Sequence, residues 1–93
     1  MFEYEFLEDQ NMFIAKSDGV KIGEVTFVNS GENVMIIDHT GVESEWSGNN
    51  IGFELVSRVV DLAKQRNKKI IPLCPFARRE FTRTPEFQEI EYK

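Results

Sequence analysis

Residues 2–40 contain short apolar segments separated by polar turns, and the first segment alternates apolar and polar residues with the two-residue period of a half-buried β-strand. The segment at 34–37 is apolar on both faces, which is typical of a central strand. The alternation is clearest in residues 2–6, where aromatic side chains and glutamates take turns. Residues 17–19 have the composition of a hairpin turn, and residues 29–33 form a second polar turn. The pattern therefore predicts an antiparallel meander of four strands, at residues 2–6, 12–16, 20–28 and 34–40.

The hydrophobic period changes after residue 42. From Ile51 onward apolar residues recur at Leu55, Val59 and Leu62, which is typical of a helix packed on a sheet. This stripe predicts a helix over residues 51–66, with Asn49 or Asn50 as its N-cap.

The C-terminal part contains shorter elements. Residues 70–73 predict a fifth strand, parallel to the fourth through a βαβ crossover. Residues 76–83 predict a short helix that stops at Thr84-Pro85, and residues 87–92 predict a last strand or a packed tail. The predicted fold class is therefore α+β (mixed α/β): a mixed, mostly antiparallel sheet with one main helix and one short helix.

Length and charge narrow the possible functions. The chain has 93 residues, which predicts a single domain over residues 1–93. A net charge of −5 argues against non-specific nucleic-acid or membrane binding, which depends on basic surface. No signal peptide or membrane-spanning run is evident, and with one cysteine the sequence predicts a cytoplasmic, reduced protein.

Basic residues are nevertheless concentrated in the second half of the chain. They form either a patch that attracts a polyanionic cofactor or an ordinary solvated helix face. These residues are Lys64, Arg66, Lys68, Lys69, Arg78, Arg79 and Arg83.

The segment from Ser47 to Gly52 is a small-residue turn that opens directly into the main predicted helix. Backbone N–H groups at such a helix start form a site for phosphate or pyrophosphate. The alternative is a plain turn with a helix cap. Bulky substitution of Gly48 distinguishes the two, because only an anion site would lose cofactor affinity.

Cys74 ends the fifth predicted strand and is the only cysteine. Beside an anion site, a thiol suggests an acyl-CoA cofactor, and a thiolate at a helix start would accept an acyl group as a thioester. The alternative is a small buried hydrophobic residue. His39, the only histidine, is either a general base or a structural strand residue. One His and one Cys argue against a dedicated zinc site.

Two segments resemble the GNAT superfamily of acyl-CoA N-acyltransferases, and within it a small single-domain subfamily with a Pro-x-Cys-Pro-Phe motif. Residues 38–42 with 47–52 resemble a His-Thr-x-Val strand end followed by an Arg-Gly-x-Gly-Ile-Gly pyrophosphate loop. Residues 72–76 resemble the Pro-x-Cys-Pro-Phe strand end. Two departures stand out: Ser47 replaces an Arg and Asn50 replaces a Gly. Asn tolerates positive φ, so the loop still forms, while the lost cation weakens pyrophosphate binding.

The resemblance implies a set of site residues. The pyrophosphate would lie on the loop and the pantetheine arm between the fourth and fifth strands, where Gly41 leaves room. Cys74 and His39 would be catalytic, and no metal is implied. Trp46 would pack on the sheet or on the cofactor. The implied cofactor-binding residues are Thr40, Gly41, Val42, Gly48, Asn49, Asn50, Ile51, Gly52, Pro75 and Arg78.

The function implied is transfer of an acetyl group from acetyl-CoA to an amine, either directly or through a Cys74 thioester. The acceptor is a small molecule or a protein. No segment obviously supplies an acceptor-site helix, so the pocket is open or completed by a partner or second copy. The chain is expected to be a monomer or weak homodimer. The alternatives are a non-catalytic acyl-CoA-binding sensor or regulatory module, and a protein that uses Cys74 alone as a reactive thiol.

Overall fold

The computed structural model describes residues 2–93, and four of its strands form the predicted meander. Each consecutive pair is antiparallel, and the four lie side by side in chain order. Short 3₁₀ turns follow the first and fourth strands, at Glu8–Gln10 and Ser44–Trp46. The strands are β1 (Phe2–Leu7), β2 (Met12–Ser17), β3 (Val20–Ser30) and β4 (Val34–Val42).

The main helix, α1 (Ile51–Gln65), crosses from β4 to β5 (Lys69–Pro72), which pairs parallel to β4 as predicted. Ile51, Leu55 and Val59 of its apolar stripe are buried against β2 to β5, and Leu62 is half-buried. The sheet order β1-β2-β3-β4-β5 therefore confirms the predicted fold class of a mixed, mostly antiparallel sheet.

One apolar core lies between the sheet and the helices. β3 and β4 contribute Phe27, Met35 and Ile37, and α1 contributes Leu55 and Val59, all at most 1% exposed. Burial of large apolar side chains is the main favourable term in folding, at about 1.5–3 kcal/mol per side chain.

The C-terminal segment differs in detail from the prediction. Helix α2 (Pro75–Arg83) ends at Thr84 as expected, but a third short helix, α3 (Pro85–Gln88), follows it. Proline suits the first position of a helix, so Pro85 begins one helix where it ends another. After α3 the chain joins the sheet by one parallel bridge, Ile70 to Glu91. Within residues 2–93, no helix is long and apolar enough to cross a membrane.

Candidate active site

β4 and β5 pair along only part of their length. The pairing runs from Val34 opposite Lys69 to Ile37 opposite Pro72. The carbonyl of Ile37 then accepts hydrogen bonds from the N–H groups of both Leu73 and Cys74, at 3.0 and 3.2 Å. β5 ends there, whereas β4 continues to Val42, paired only with β3 among the described strands. The edge of β4 that faces away from β3 is therefore open over residues 38–42.

The first turn of α1 has no side-chain cap. Asn50 occupies the N-cap position with a left-handed φ of 64°, and its side chain makes no hydrogen bond to that turn. Asn49, the other predicted cap, donates instead to the carbonyl of Trp46 at 2.9 Å. The first N–H groups of a helix have no acceptor within the helix. In α1 the side chains of Asn49 and Asn50 do not accept hydrogen bonds from these groups, which therefore point outward.

A groove of about 440 Å³ lies over this uncapped turn. We call it the cofactor groove. One wall is the end of β4 with the loop, the floor is the first turn of α1, and the other wall is α2. Its lining residues are Val42, Trp46, Ser47, Gly48, Asn50, Ile51, Gly52, Phe53, Phe76, Arg79, Glu80 and Arg83.

Two glycines shape the groove in different ways. Gly48 has a φ of +86°, which favours glycine, and no described atom lies within 4 Å of where a Cβ would be. Gly52 has no such space, because a Cβ there would overlap the ring of Phe76. Gly48 therefore keeps the loop open, and Gly52 lets α2 approach α1.

Cys74 is the N-cap of α2. Its sulfur accepts a hydrogen bond from the Ala77 N–H at 3.4 Å and lies 3.4 Å from the Thr40 hydroxyl. The residue is 8% exposed and does not line the cofactor groove. Thr40 precedes Val42 by two residues on the same face of β4, so the thiol and the groove lie along the same open edge.

His39 lies on the other face of β4. Thr40 is opposite buried Val25, whereas His39 is opposite Thr26, and successive strand residues point to opposite faces. The structure therefore places the two predicted catalytic residues on different sides of the strand. The His39 Nε2 lies 3.1 Å from Glu24, and the ring covers Gly41, so the room expected at Gly41 is taken by the imidazole.

His39 and Glu24 line a second cavity of about 360 Å³, which we call the outer cleft. Glu24 also pairs with Lys21, and this hydrogen bond holds the pKa of the Glu24 carboxyl below its usual range, against the opposing effect of burial. Val42 lines both cavities, so they meet at the end of β4. The lining residues are Lys21, Gly23, Glu24, His39, Gly41, Val42, Glu43 and Ser44.

Five predicted cofactor residues lie outside the cofactor groove: Thr40, Gly41, Asn49, Pro75 and Arg78. Pro75 is exposed at the start of α2, and Arg78 donates to the Leu73 carbonyl at 3.3 Å. Four residues of α2 line the groove: Phe76, Arg79, Glu80 and Arg83. None of them is in the implied cofactor-binding set, and only Arg79 and Arg83 belong to the predicted basic patch. The spacing of the four, at three, four and seven residues, marks one helix face and is the signal that identifies them.

Trp46 packs on the sheet, and its packing on the cofactor stays a prediction. Its ring packs edge-on against Phe2, with centroids 5.7 Å apart, and it also lines the cofactor groove.

The architecture occurs in solved N-acetyltransferases. A GCN5-like candidate N-acetyltransferase from Staphylococcus aureus is 31% identical, with a TM-score of 0.78, and the match covers 97% of this chain and 87% of that one. A ribosomal-protein-alanine N-acetyltransferase from Brucella melitensis biovar Abortus is 23% identical, with a TM-score of 0.65, over 85% of this chain and 64% of that one.

A GNAT family acetyltransferase from Elizabethkingia anophelis, solved with acetyl-CoA bound, is 16% identical, with a TM-score of 0.61. The match covers 75% of this chain and 61% of that one, so this chain spans less than two thirds of both larger enzymes. No curated protein sequence gave a significant match.

Fold and sequence together define an N-acetyltransferase-type protein. Residues 5–90 match the sequence model described as GCN5-related N-acetyl-transferase. The chain therefore belongs to the GCN5-related N-acetyltransferase family, and the predicted family and fold class are confirmed.

Proposed function

We propose that the chain transfers an acetyl group from acetyl-CoA to an amine. The observation that carries this proposal is the uncapped first turn of α1, which lines a groove continuous with the open edge of β4. Family membership supports the reaction class. Structures of similar fold that hold acetyl-CoA or coenzyme A support the cofactor.

The groove fits the diphosphate of the cofactor. Its volume is within the range of small-molecule sites, about 300–1,000 Å³. The N–H groups at the start of α1 have no side-chain partner in Asn50, and the positive end of the helix dipole favours an anion. Gly48 leaves the approach open. In this proposal Gly48, Asn50, Ile51 and Gly52 hold the diphosphate through their backbone.

The open edge of β4 fits the pantetheine arm. Its amide groups resemble those of a peptide, and an edge strand binds such groups by strand addition. Thr40 and Val42 face the groove side of this edge, where Thr40 contacts the Cys74 sulfur. The thioester carbonyl would thus lie near Thr40 and Cys74.

Acetyl-CoA supplies an activated thioester carbonyl, and the amine arrives from the outer cleft. As the C–N bond forms and the C–S bond breaks, the imidazole of His39 takes the proton that leaves the amine through the solvent of the outer cleft. The departing thiolate takes up a proton from solvent, to which the imidazolium returns its own, and coenzyme A leaves as its thiol. Glu24 is a positioning residue, because its carboxylate fixes the ring and stabilises the imidazolium.

Cys74 offers a second route to the same product. Its sulfur would take the acetyl group as a thioester and then pass it to the amine, and coenzyme A would leave after the first step. The Ala77 N–H already donates a hydrogen bond to this sulfur at the start of α2.

Intact mass spectrometry and amine turnover test the reaction and separate the two routes. The protein is mixed with acetyl-CoA, with and without a panel of primary amines, alongside Cys74→Ser and His39→Gln. Serine also caps helices, so Cys74→Ser is expected to fold normally. Direct transfer predicts turnover in Cys74→Ser, whereas the thioester route predicts an acetyl adduct on the wild type that is lost with turnover in Cys74→Ser.

His39→Gln is expected to bind acetyl-CoA normally and to lose about a hundredfold in turnover, the usual effect of losing a general base. Binding without adduct or turnover for any amine would indicate a non-catalytic acyl-CoA sensor. An adduct formed with simple thiol reagents but no acetyl-CoA binding would leave only a reactive thiol.

A further inference from the structure

Within residues 2–93, the cations that line the cofactor groove lie on α2. Residues 43–54, which form the loop and the first turn of α1, contain three glutamates and no lysine or arginine. Among the described residues that line the groove, the cations are Arg79 and Arg83. We propose that Arg79 and Arg83 bind the phosphate groups of the acyl-CoA cofactor and supply the ionic part of its affinity. This inference rests on the proposed function.

Arg79 is anchored to the first turn of α1 through an aromatic ring. Its guanidinium lies over the ring of Phe76, 5.2 Å from the centroid. That ring in turn contacts α1 at Gly52, where a Cβ would overlap it. A stacked guanidinium keeps its N–H edge available for hydrogen bonds in the ring plane. The stack therefore holds a cation beside the uncapped turn.

A buried carboxylate holds both arginines on the groove side of α2. Glu80 is 3% exposed, and its two oxygens lie 3.3 Å from Arg83 Nη2 and 4.0 Å from Arg79 Nε. The arginine side chains themselves are 64% and 61% exposed. Each guanidinium has five N–H donors, so pairing with Glu80 leaves donors free for a phosphate.

The competing explanation is that the two arginines only neutralise Glu80. A structural role of that kind predicts a loss of stability on their removal, but no dependence of cofactor affinity on phosphate content or salt. The experiment must therefore vary the ligand as well as the protein.

Isothermal titration calorimetry with acetyl-CoA compares the wild type with Arg79→Gln/Arg83→Gln. Charge-assisted hydrogen bonds to phosphate predict a dissociation constant at least about tenfold higher in the double variant. The affinity of the double variant should also depend less steeply on salt concentration than that of the wild type, because the double variant forms fewer ion pairs with the phosphates. The matched control, Lys64→Gln/Arg66→Gln, removes the same charge at the far end of α1 and should bind within about twofold of wild type.

Dephospho-acetyl-CoA identifies which phosphate is bound. If the arginines bind the ribose phosphate, the wild type should bind dephospho-acetyl-CoA more weakly than acetyl-CoA, by about the factor that the double substitution costs. The double variant should then bind the two ligands equally well. If they bind the diphosphate, the double variant is weaker for both ligands by the same factor. Either pattern supports the inference.

A rescue variant tests the claim that the loop lacks a cation. Ser47→Arg places a guanidinium on the opposite side of the groove, and in the double-variant background it should restore affinity several-fold. The double variant unfolds if the buried Glu80 carboxylate cannot be left unpaired. In that case Arg79→Gln/Glu80→Gln/Arg83→Gln, which has no such carboxylate, takes the place of the double variant in the titrations.

A folded variant that binds acetyl-CoA as tightly as wild type, with unchanged salt dependence, would overturn the inference and leave the proposed function intact. A wild type that does not bind acetyl-CoA at all would overturn both.

Discussion

Gly52 shows how one missing side chain positions the groove. Its lack of a Cβ lets the Phe76 ring lie against α1, and the same ring supports Arg79. In most helices a Gly-to-Ala change is stabilising, by about 0.5–1 kcal/mol, because glycine loses more backbone entropy on folding. Here the sign should reverse.

Gly52→Ala is expected to destabilise the protein by about 1–3 kcal/mol, the usual cost of overpacking. The measurement is the free energy of unfolding in urea. In Gly52→Ala/Phe76→Leu the two losses should be less than additive, because the smaller side chain makes room for the new methyl. A more stable Gly52→Ala would show that the ring is free to move away.

Glu24 should make stability depend on acid pH. Its hydrogen bond with Lys21 lowers the pKa of the carboxyl in the folded state below the usual value of 4.5. The stabilisation is therefore fully present above about pH 4.5 and is lost as the pH falls through the lower folded value.

The check is the difference in unfolding free energy between wild type and Glu24→Gln, measured at pH 7 and pH 3. The difference should shrink at pH 3, and it should be smaller at pH 7 in a Lys21→Met background. A difference that is the same at both pH values would contradict the role given to this pair.

The choice among neighbouring arginines could not be made from composition. Arg78 and Arg79 both belong to the predicted basic patch, and the resemblance implied Arg78 for the cofactor, but Arg78 donates to the Leu73 carbonyl while Arg79 faces the groove. Arg78 and Arg79 differ only in the face of α2 on which they lie. Which face each occupies depends on the residue at which the helix begins. The small residues from Ser47 to Gly52, in contrast, were sufficient to predict both where α1 begins and that the approach to its first turn is open.

At the scale of elements, β4 decides which residues share a site. The register between β3 and β4 shifts between Thr26 and Phe27, and this bulge leaves Asp38 as an extra residue, bonded to the Thr26 hydroxyl at 2.6 Å. The bulge places His39 on the outer face and Thr40 on the inner face. The apolar run at residues 34–37 predicted the strand itself, but a run that is apolar on both faces does not indicate where a bulge changes the facing of the residues that follow.

The start of α1 gives a prediction for the loop. Asn50 has a left-handed φ of 64°, and its side chain makes no cap hydrogen bond. The stability of the protein should therefore depend on the backbone conformation at this position rather than on the side-chain amide. Asn50→Gly should be as stable as wild type or more stable, whereas Asn50→Ala should lose about 1 kcal/mol. Urea unfolding measures both. Equal stability of the two variants would show that the left-handed conformation is not required.

At the scale of the whole molecule, two cavities meet across one strand. The cofactor groove and the outer cleft share Val42, and the open edge of β4 connects the groove to Cys74. The sheet order and the main helix could be predicted because their hydrophobic periods are strong. The meeting of the two cavities depends on the parting of β4 from β5, for which the residue pattern has no local signal.

The most direct test of the account is an amide chemical-shift titration with acetyl-CoA, for which a chain of 93 residues is well suited. The largest changes are expected at residues 48–53, at the start of α1, and at residues 38–42, along the open edge of β4. Changes confined to other regions, or none at saturating ligand, would contradict it.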